Sequence, residues 1–209
     1  MVGQKAWVIL IAAIPVLVIP LLGITWLNFS VFMFVYYFRE RVQRWYVGLN
    51  APIHLKLLIS GMAFSYLTEI LAIADNLPKP PSERILLSPD PFTDLYLALG
   101  YYLPFILLWS VLVVRYRYSA RDVFLIGGIA GIFLEQAGAV FLSMNPFAWL
   151  YVFLVYGSFK AFAVLLAEGE LGVMNRKAIS RSKKAILGLI SEFTATILAV
   201  LLMKALVYF

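Results

Sequence analysis

Long apolar segments separated by short polar connections constrain this sequence more than any other feature. A transmembrane helix needs about 20 apolar residues to cross a hydrocarbon layer of about 30 Å. Only 13% of the 209 residues are charged, against about a quarter in a soluble domain. The sequence therefore predicts an all-α integral membrane protein, a bundle of about six transmembrane helices that forms a single polytopic domain over residues 1–209. The predicted segments are 6–38, 53–74, 93–114, 122–142, 147–167 and 185–208.

The first apolar stretch, residues 6–38, is too long for one upright helix and too short for two complete spans. Pro15, Pro20 and Gly23 interrupt it, and proline breaks or kinks a helix. One span followed by an interfacial helix agrees with the aromatic residues between positions 26 and 37, because such side chains prefer the headgroup level. A re-entrant hairpin is the alternative, and it would place the N-terminus on the other side of the membrane.

Lys and Arg are concentrated in alternate connections between the apolar segments. Residues 39–56, 115–121 and 176–184 hold most of the 17 cations, whereas residues 75–94 are mainly acidic. Because cytoplasmic loops retain positive charge, we expect the three basic connections to face the cytoplasm of a cell membrane, plasma or inner. Topology and contacts with anionic lipid headgroups explain the net charge of +6, so we expect the lipid bilayer as partner and no nucleic acid.

Four charged residues lie inside the predicted spans and away from their ends: Glu69, Glu135, Lys160 and Glu192. Charge is expensive there, so such residues face the bundle interior or a water-filled cavity. From a helical rise of about 1.5 Å per residue, Glu69 and Glu135 share a layer in the outer half. Lys160 and Glu192 fall in the inner half, at depths that allow an ion pair. The structural alternatives are carboxyls hydrogen-bonded across helices and an ion pair that serves only packing.

Glycines occupy one side of several predicted spans. In the fourth span three of them follow helical spacing with Glu135 on a single stripe, and the second and sixth spans carry similar small-residue stripes. Such stripes let neighbouring helices approach closely. We therefore interpret these glycines as helix-packing residues, which would serve contacts within one chain or within a homo-oligomer or membrane complex. They are Gly61, Gly127, Gly131, Gly138 and Gly188.

The chain lacks the residues that many catalytic centres need. Cysteine is absent and His54 is the one histidine, which excludes thiolate nucleophiles, iron–sulfur clusters and bis-histidine haem within one chain. There is no H-E-x-x-H zinc-protease motif. We therefore expect no metal, no cofactor and no catalytic residues of these kinds.

Carboxyl groups without cysteine or metal ligands favour proton or cation movement over covalent catalysis. We predict a small transporter or channel that moves a cation, a proton or a small solute through a cavity lined by the buried carboxylates. Tyr102 and Gln136 complete the candidate binding residues. The alternatives are a membrane-embedded enzyme or lipid-handling protein acting on a lipid or isoprenoid, and a structural subunit of a membrane complex.

Overall fold

The computed structural model describes residues 7–14, 17 and 23–208, and this part of the chain is helical without β-strands. Five of its helices are long and apolar enough to cross a membrane, which indicates a membrane protein. Residues 7–14 are also helical. The further helices are α1 (Leu27–Tyr37), α2 (Arg39–Val47), α3 (Ile53–Asn76), α4 (Pro91–Arg115), α5 (Ala120–Leu134), α6 (Ala139–Leu142), α7 (Pro146–Val173) and α8 (Arg181–Tyr208). Two short 3-10 helices are Pro81–Glu83 and Glu135–Gly138.

The bundle of about six spans is not confirmed, because the described residues contain five. The five are α3, α4, Ala120–Leu142, α7 and α8. Residues 15–16 and 18–22 of the first apolar stretch lie outside the described residues. The helix α1 has 11 residues, where about 20 are needed to cross the hydrocarbon layer. It buries Asn28, Phe29 and Phe32 in the bundle.

Asp75, near the C-terminal end of α3, holds the segment that precedes α1. Its carboxylate accepts the N–H of Ile24 at 2.5 Å and of Thr25 at 2.7 Å, and it also accepts the Thr25 hydroxyl. Gly23 has a φ of +90°, and a Cβ there would lie 2.6 Å from Asp75 Oδ1. A carboxylate is the natural acceptor for the free N–H groups before a helix, so this contact fixes where α1 begins.

The central helix of the bundle is α7. It packs against α1, α2, α3, α4 and α5, and 67% of its most apolar window is buried, against 28% for α8. The helix α8 packs on α4 and α5 and exposes most of its apolar side chains, as a lipid-facing helix does. The core therefore surrounds α7, which is buried on nearly all sides, whereas α8 contributes only one side to it.

The three basic connections lie at one end of the bundle. Tyr116 and Lys177 form an isolated parallel β-bridge, which joins the connection 115–121 to 176–184. Lys56 forms an ion pair with Glu170 near the end of α7, with Nζ and Oε2 2.8 Å apart, and this brings residues 39–56 to the same end. The alternation of charge along the sequence therefore corresponds to a real asymmetry between the two ends.

Arg176 is a basic residue whose guanidinium forms hydrogen bonds within the protein. Its Nη1 donates to the carbonyl oxygens of Val113 at 3.0 Å, Tyr116 at 3.3 Å and Tyr118 at 3.2 Å. The last carbonyls of a helix lack partners within the helix, and here Arg176 supplies them for α4. Burial lowers the pKa of its guanidinium, and the charge of Arg117 lowers it further. Arg176 thus caps α4 and does not face lipid headgroups freely.

The predicted fourth span, residues 122–142, is not one continuous helix. After α5 ends, Gln136 (φ 49°), Ala137 (φ 54°) and Gly138 (φ 91°) adopt left-handed backbone conformations before α6 begins. Such a conformation costs a residue other than glycine roughly 1–2 kcal/mol. The expected stripe of Gly127, Gly131, Glu135 and Gly138 therefore stops at the break, and Gly138 is a turn residue and not a packing residue within a helix.

We predict that Gly23→Ala lowers the free energy of unfolding by roughly 1–3 kcal/mol, because the added methyl meets the Asp75 carboxylate and a positive φ strains alanine. Thermal unfolding in detergent micelles measures the effect. Gly172→Ala is the matched control, since nothing lies within 4 Å of the position its Cβ would take. Equal stability of the two variants would contradict the proposed role of the close contact between Gly23 and the Asp75 carboxylate.

Candidate functional site

The four ionisable residues predicted within the spans point toward the interior or its edge. Glu69 on α3 is 6% exposed, Lys160 on α7 is 1% exposed and Glu192 on α8 is fully buried. Glu135, at the end of α5, is half-buried. Four helices therefore supply ionisable groups to the interior or its edge, and α7 lies at the centre of the bundle.

Lys160 and Glu192 form an ion pair in the interior, with Nζ and Oε2 2.5 Å apart and both side chains fully buried. The second carboxylate oxygen of Glu192 accepts the indole N–H of Trp109 at 2.6 Å. Lys160 also donates to the carbonyl oxygen of Gly127 at 3.3 Å. A buried ion pair is tolerated when further hydrogen bonds satisfy its atoms, and these two contacts meet that need.

Aromatic rings enclose the Lys160 ammonium. Its Nζ lies 4.7 Å from the ring centroid of Phe105, 5.0 Å from that of Tyr156 and 5.4 Å from that of Phe159. Ring faces attract a cation at such distances, and more strongly where water is excluded. The ammonium is therefore held by one carboxylate and by three rings.

Glycines on α5 make room for these side chains of α7. A Cβ at Gly127 would lie 2.7 Å from Lys160 Cδ, and one at Gly131 would lie 2.8 Å from Tyr156 Cβ. Gly188 on α8 approaches Ile126 and Trp109 in the same way, and Gly61 on α3 approaches Ile106. Close helix contact at small residues thus sets the depth at which Lys160 and Tyr156 lie.

Glu69 is hydrogen-bonded to Tyr102, the one aromatic residue among the candidate binding residues. The Tyr102 hydroxyl donates to Glu69 Oε2 at 2.7 Å, and the Tyr102 side chain is 4% exposed. The bond joins α3 to α4 and leaves this carboxyl without a cationic partner, since the ion pairs of the described residues involve other acids.

Glu135 accepts the last hydrogen bond of a chain that runs through the hydroxyls of two tyrosines. The Tyr156 hydroxyl donates to Glu135 Oε2, so the proton between the two tyrosines comes from Tyr101, whose hydroxyl lies 2.8 Å from that of Tyr156. The Tyr101 and Tyr102 rings are in edge contact with centroids 4.9 Å apart. Glu69 and Glu135 therefore lie at opposite ends of a tyrosine cluster, Tyr101–Tyr102–Tyr156, and not across an open space.

The break after α5 lies at Glu135. The last carbonyls of α5 carry the partial negative charge of the helix end, and half-helix ends of this kind coordinate cations or protons in transporters built from broken helices. An ionised Glu135 carboxyl would add its negative charge to that of the helix end. Gln136, the next residue and a predicted binding candidate, is exposed with a left-handed backbone and does not reach the tyrosine cluster.

Asp94 is a buried acid that the sequence did not single out, because it lies at the edge of the predicted span. It is fully buried in the first turn of α4. Its Oδ1 accepts the N–H of Ser88 at 3.0 Å, whereas Oδ2 has no hydrogen-bond partner. The charges of Asp94 and Glu135 both act on Glu69. The half of the bundle away from the basic connections thus holds three acids that act on one another.

The acids do not form a metal centre of protein ligands alone. Within the described residues, no group of three or more His, Cys, Asp or Glu side chains is placed to hold a metal ion. What the arrangement supports chemically is proton binding and proton exchange, because carboxyls and phenols both donate and accept through one oxygen.

The comparisons with known proteins provide no relatives. A scan against protein-family models, a search of curated proteins and a search of solved structures each found no match. The functional argument therefore depends on the geometry of the site.

We predict that Lys160→Met lowers the free energy of unfolding by roughly 3–5 kcal/mol, because it leaves the Glu192 carboxyl buried without its cation. Combining it with Glu192→Gln should restore most of the loss. The control is Lys184→Met, which removes the ion pair with Asp122, whose side chains are 19% and 31% exposed, and should cost about 1 kcal/mol or less. Thermal unfolding measures all three, and additive losses in the double variant would contradict a coupled pair.

Proposed function

We propose that the protein moves protons across a membrane by way of Glu69, Glu135 and the tyrosine cluster between them. The observation that carries the proposal is the hydrogen-bonded chain from Tyr101 through Tyr156 to Glu135 at a break in a membrane-spanning helix. Non-helical backbone at membrane depth is tolerated where it is buried in protein or lines a cavity, and a carboxyl at that point marks the break as a polar site.

The distribution of charge favours protons as the transported species. Glu69, Asp94 and Glu135 have no salt-bridge partner among the described residues, and an isolated carboxylate in an apolar interior is costly. Binding a proton or a cation removes that cost. Phenols fill the region between the two glutamates, with Tyr102 bonded to Glu69 and Tyr101 bonded to Tyr156, and the Tyr101 and Tyr102 rings in edge contact. This packing argues against a channel for hydrated ions, and the proposed path requires a proton to pass between the Tyr101 and Tyr102 hydroxyls.

Lys160 and Glu192 supply the inner boundary of the proposed path. The Lys160 ammonium faces the Tyr156 ring at 5.0 Å, and its charge acts on Glu135. A fixed positive charge repels other cations. The ammonium would thus oppose the passage of metal ions past the inner end of the tyrosine cluster.

Chemistry on a lipid or isoprenoid is a second candidate function, with Glu135 as a general acid. One observation favours it: Glu135 is half-buried, and Gln136 and Ala137 beside it are exposed, so a lipid chain at the surface of the bundle would meet the break. Comparing the lipids of cells with and without the protein by mass spectrometry tests this function. A changed lipid species that depends on Glu135 would favour the enzyme over the transporter.

The proposal includes the orientation of the bundle in the membrane. The positive charge of the connections 39–56, 115–121 and 176–184 favours a cytoplasmic position for them, and the exposed Arg39, Arg41 and Arg44 of α2 suit contact with anionic headgroups. Exposed Trp45 in the same helix suits the headgroup level, which aromatic side chains prefer.

The absence of cysteine makes this orientation directly testable. We predict that Ser182→Cys is protected from a membrane-impermeant thiol reagent in intact cells, whereas Ser82→Cys, on the exposed outer connection, is labelled. Permeabilised cells provide the control, since both variants should then react. Labelling of Ser182→Cys alone in intact cells would show the opposite orientation.

We predict that Glu135→Gln abolishes proton flux, because the amide cannot exchange a proton with Tyr156. Proteoliposomes holding a pH-sensitive dye measure the flux when a potassium gradient and valinomycin set the membrane potential. Glu83→Gln, which changes an exposed acid on the outer connection, is the matched control and should retain the flux of the unmodified protein.

Two results would count against proton transport. One is unmodified protein that shows no more flux than empty liposomes. The other is undiminished flux in Glu135→Gln, which would remove this residue from the path. Thermal unfolding of each variant establishes that lost flux does not reflect lost structure.

A further inference from the structure

The outer connection between α3 and α4 is a folded cap and not an open loop. Arg84 donates to the carbonyl oxygens of Lys79 at 3.1 Å, Pro89 at 2.7 Å and Leu77 at 3.2 Å. One guanidinium thereby ties the beginning of the connection to its end. The cap contacts the beginning of α4 through the Ser88 N–H, which donates to Asp94.

Asp94 lies beneath this cap with one oxygen unpartnered. The side chain is fully buried, and the Ser88 N–H satisfies Oδ1 at 3.0 Å, while Oδ2 has no partner. Buried polar atoms are hydrogen-bonded in nearly all cases, and an exception calls for an explanation. A fully buried carboxylate oxygen without a donor indicates that a donor is missing from the arrangement.

The carboxyl of Glu69 is placed to be that donor. Asp94, Ala98 and Tyr102 follow one another at intervals of four residues on α4, and all three are buried. Helical side chains lean toward the N-terminus, so the Tyr102 hydroxyl, with Glu69 bound to it at 2.7 Å, is carried toward Asp94 past the small Ala98. The charge of Asp94 accordingly acts on Glu69.

The charged and titratable groups around this pair do not neutralise it. They are Tyr101 and Tyr102 on α4, Tyr151 on α7 and Glu135 after α5, which add no positive charge. The cations of the cap are engaged elsewhere: Lys79 donates to Asn76 Oδ1 at 3.0 Å, and Arg84 binds carbonyl oxygens of the cap itself.

We infer that Asp94 and Glu69 bind one proton between them and form an outer proton-binding site under the cap. Two ionised carboxylates in contact repel each other, whereas one shared proton turns one of them into a donor. That proton supplies the hydrogen bond that Asp94 Oδ2 lacks and removes one of two uncompensated buried charges. The role of the site as the outer entrance of the path rests on the proposed function, and proton sharing by the pair does not.

Infrared difference spectroscopy of the protein in phosphatidylcholine liposomes tests the pair directly. The unmodified protein should show the carbonyl stretching band of a protonated carboxyl at neutral pH. Glu69→Gln and Asp94→Asn should each lose that band, because an amide then donates the hydrogen bond and the remaining carboxyl ionises. For the same reason both variants should unfold at a temperature close to that of the unmodified protein, and Glu69→Gln suffices where Asp94→Asn does not fold.

Asp90→Asn is the matched control, because Asp90 is exposed and asparagine caps a helix as well as aspartate does. It should keep the band. The inference is overturned when the band persists at full intensity in both Glu69→Gln and Asp94→Asn, or when sodium ions at constant pH remove it, since the pair would then bind a metal cation. If the protein keeps the pair-dependent band but shows no proton flux, the result contradicts the proposed function and leaves the inference of a shared proton standing.

Discussion

The cost of placing charge in an apolar interior is the constraint on which the rest of this structure depends. Lys160 and Glu192 satisfy it by pairing, with Trp109 and the Gly127 carbonyl completing their hydrogen bonds. The pair and its two hydrogen-bond partners also require four helices, α4, α5, α7 and α8, to meet at one depth. Glycine at position 127 makes that meeting sterically feasible, because a Cβ there would collide with the lysine stem. The buried ion pair therefore depends on the close packing of these helices.

The two halves of the bundle solve the problem of buried charge differently. In the inner half a cation balances an anion. In the other half Glu69, Asp94 and Glu135 have no such cation among the described residues. Hydrogen bonds take its place, from tyrosines to the two glutamates and from the Ser88 N–H to Asp94. Acids that depend on phenols and on shared protons can change protonation with little rearrangement, whereas a closely held ion pair resists such change. This asymmetry gives the proposed path a responsive outer part and a rigid inner boundary.

The break after α5 adds backbone strain to this outer region. Gln136 and Ala137 are held in conformations that residues with side chains rarely adopt, at a cost of roughly 1–2 kcal/mol each. Strain of this kind tends to occur at functional sites. Here it ends the helix at Glu135, so the carboxyl meets both the negative end of α5 and the hydroxyl of Tyr156.

Much of the fold could be predicted from the chain alone, because the length of an apolar segment and the spacing of basic connections depend on the thickness of the bilayer and not on contacts. Depth along a span follows from helical rise, which is why Lys160 and Glu192 could be matched. The burial of Asp94 could not be predicted, since it depends on how the connection after α3 folds over it. Nor could the end of α5 be predicted, because no proline marks the break and the spacing of Gly138 agrees with a packing stripe on a continuous helix.

The sequence by itself determined that long apolar helices bury a small number of acids and one lysine, since hydrophobicity and helical periodicity are local properties. Only the tertiary structure decided which groups those acids meet. A glutamate in a span has the same sequence signature whether it faces a lysine, a phenol or another carboxyl. The difference is set by the rotation and crossing of helices, which depend on side-chain packing between segments far apart in the chain.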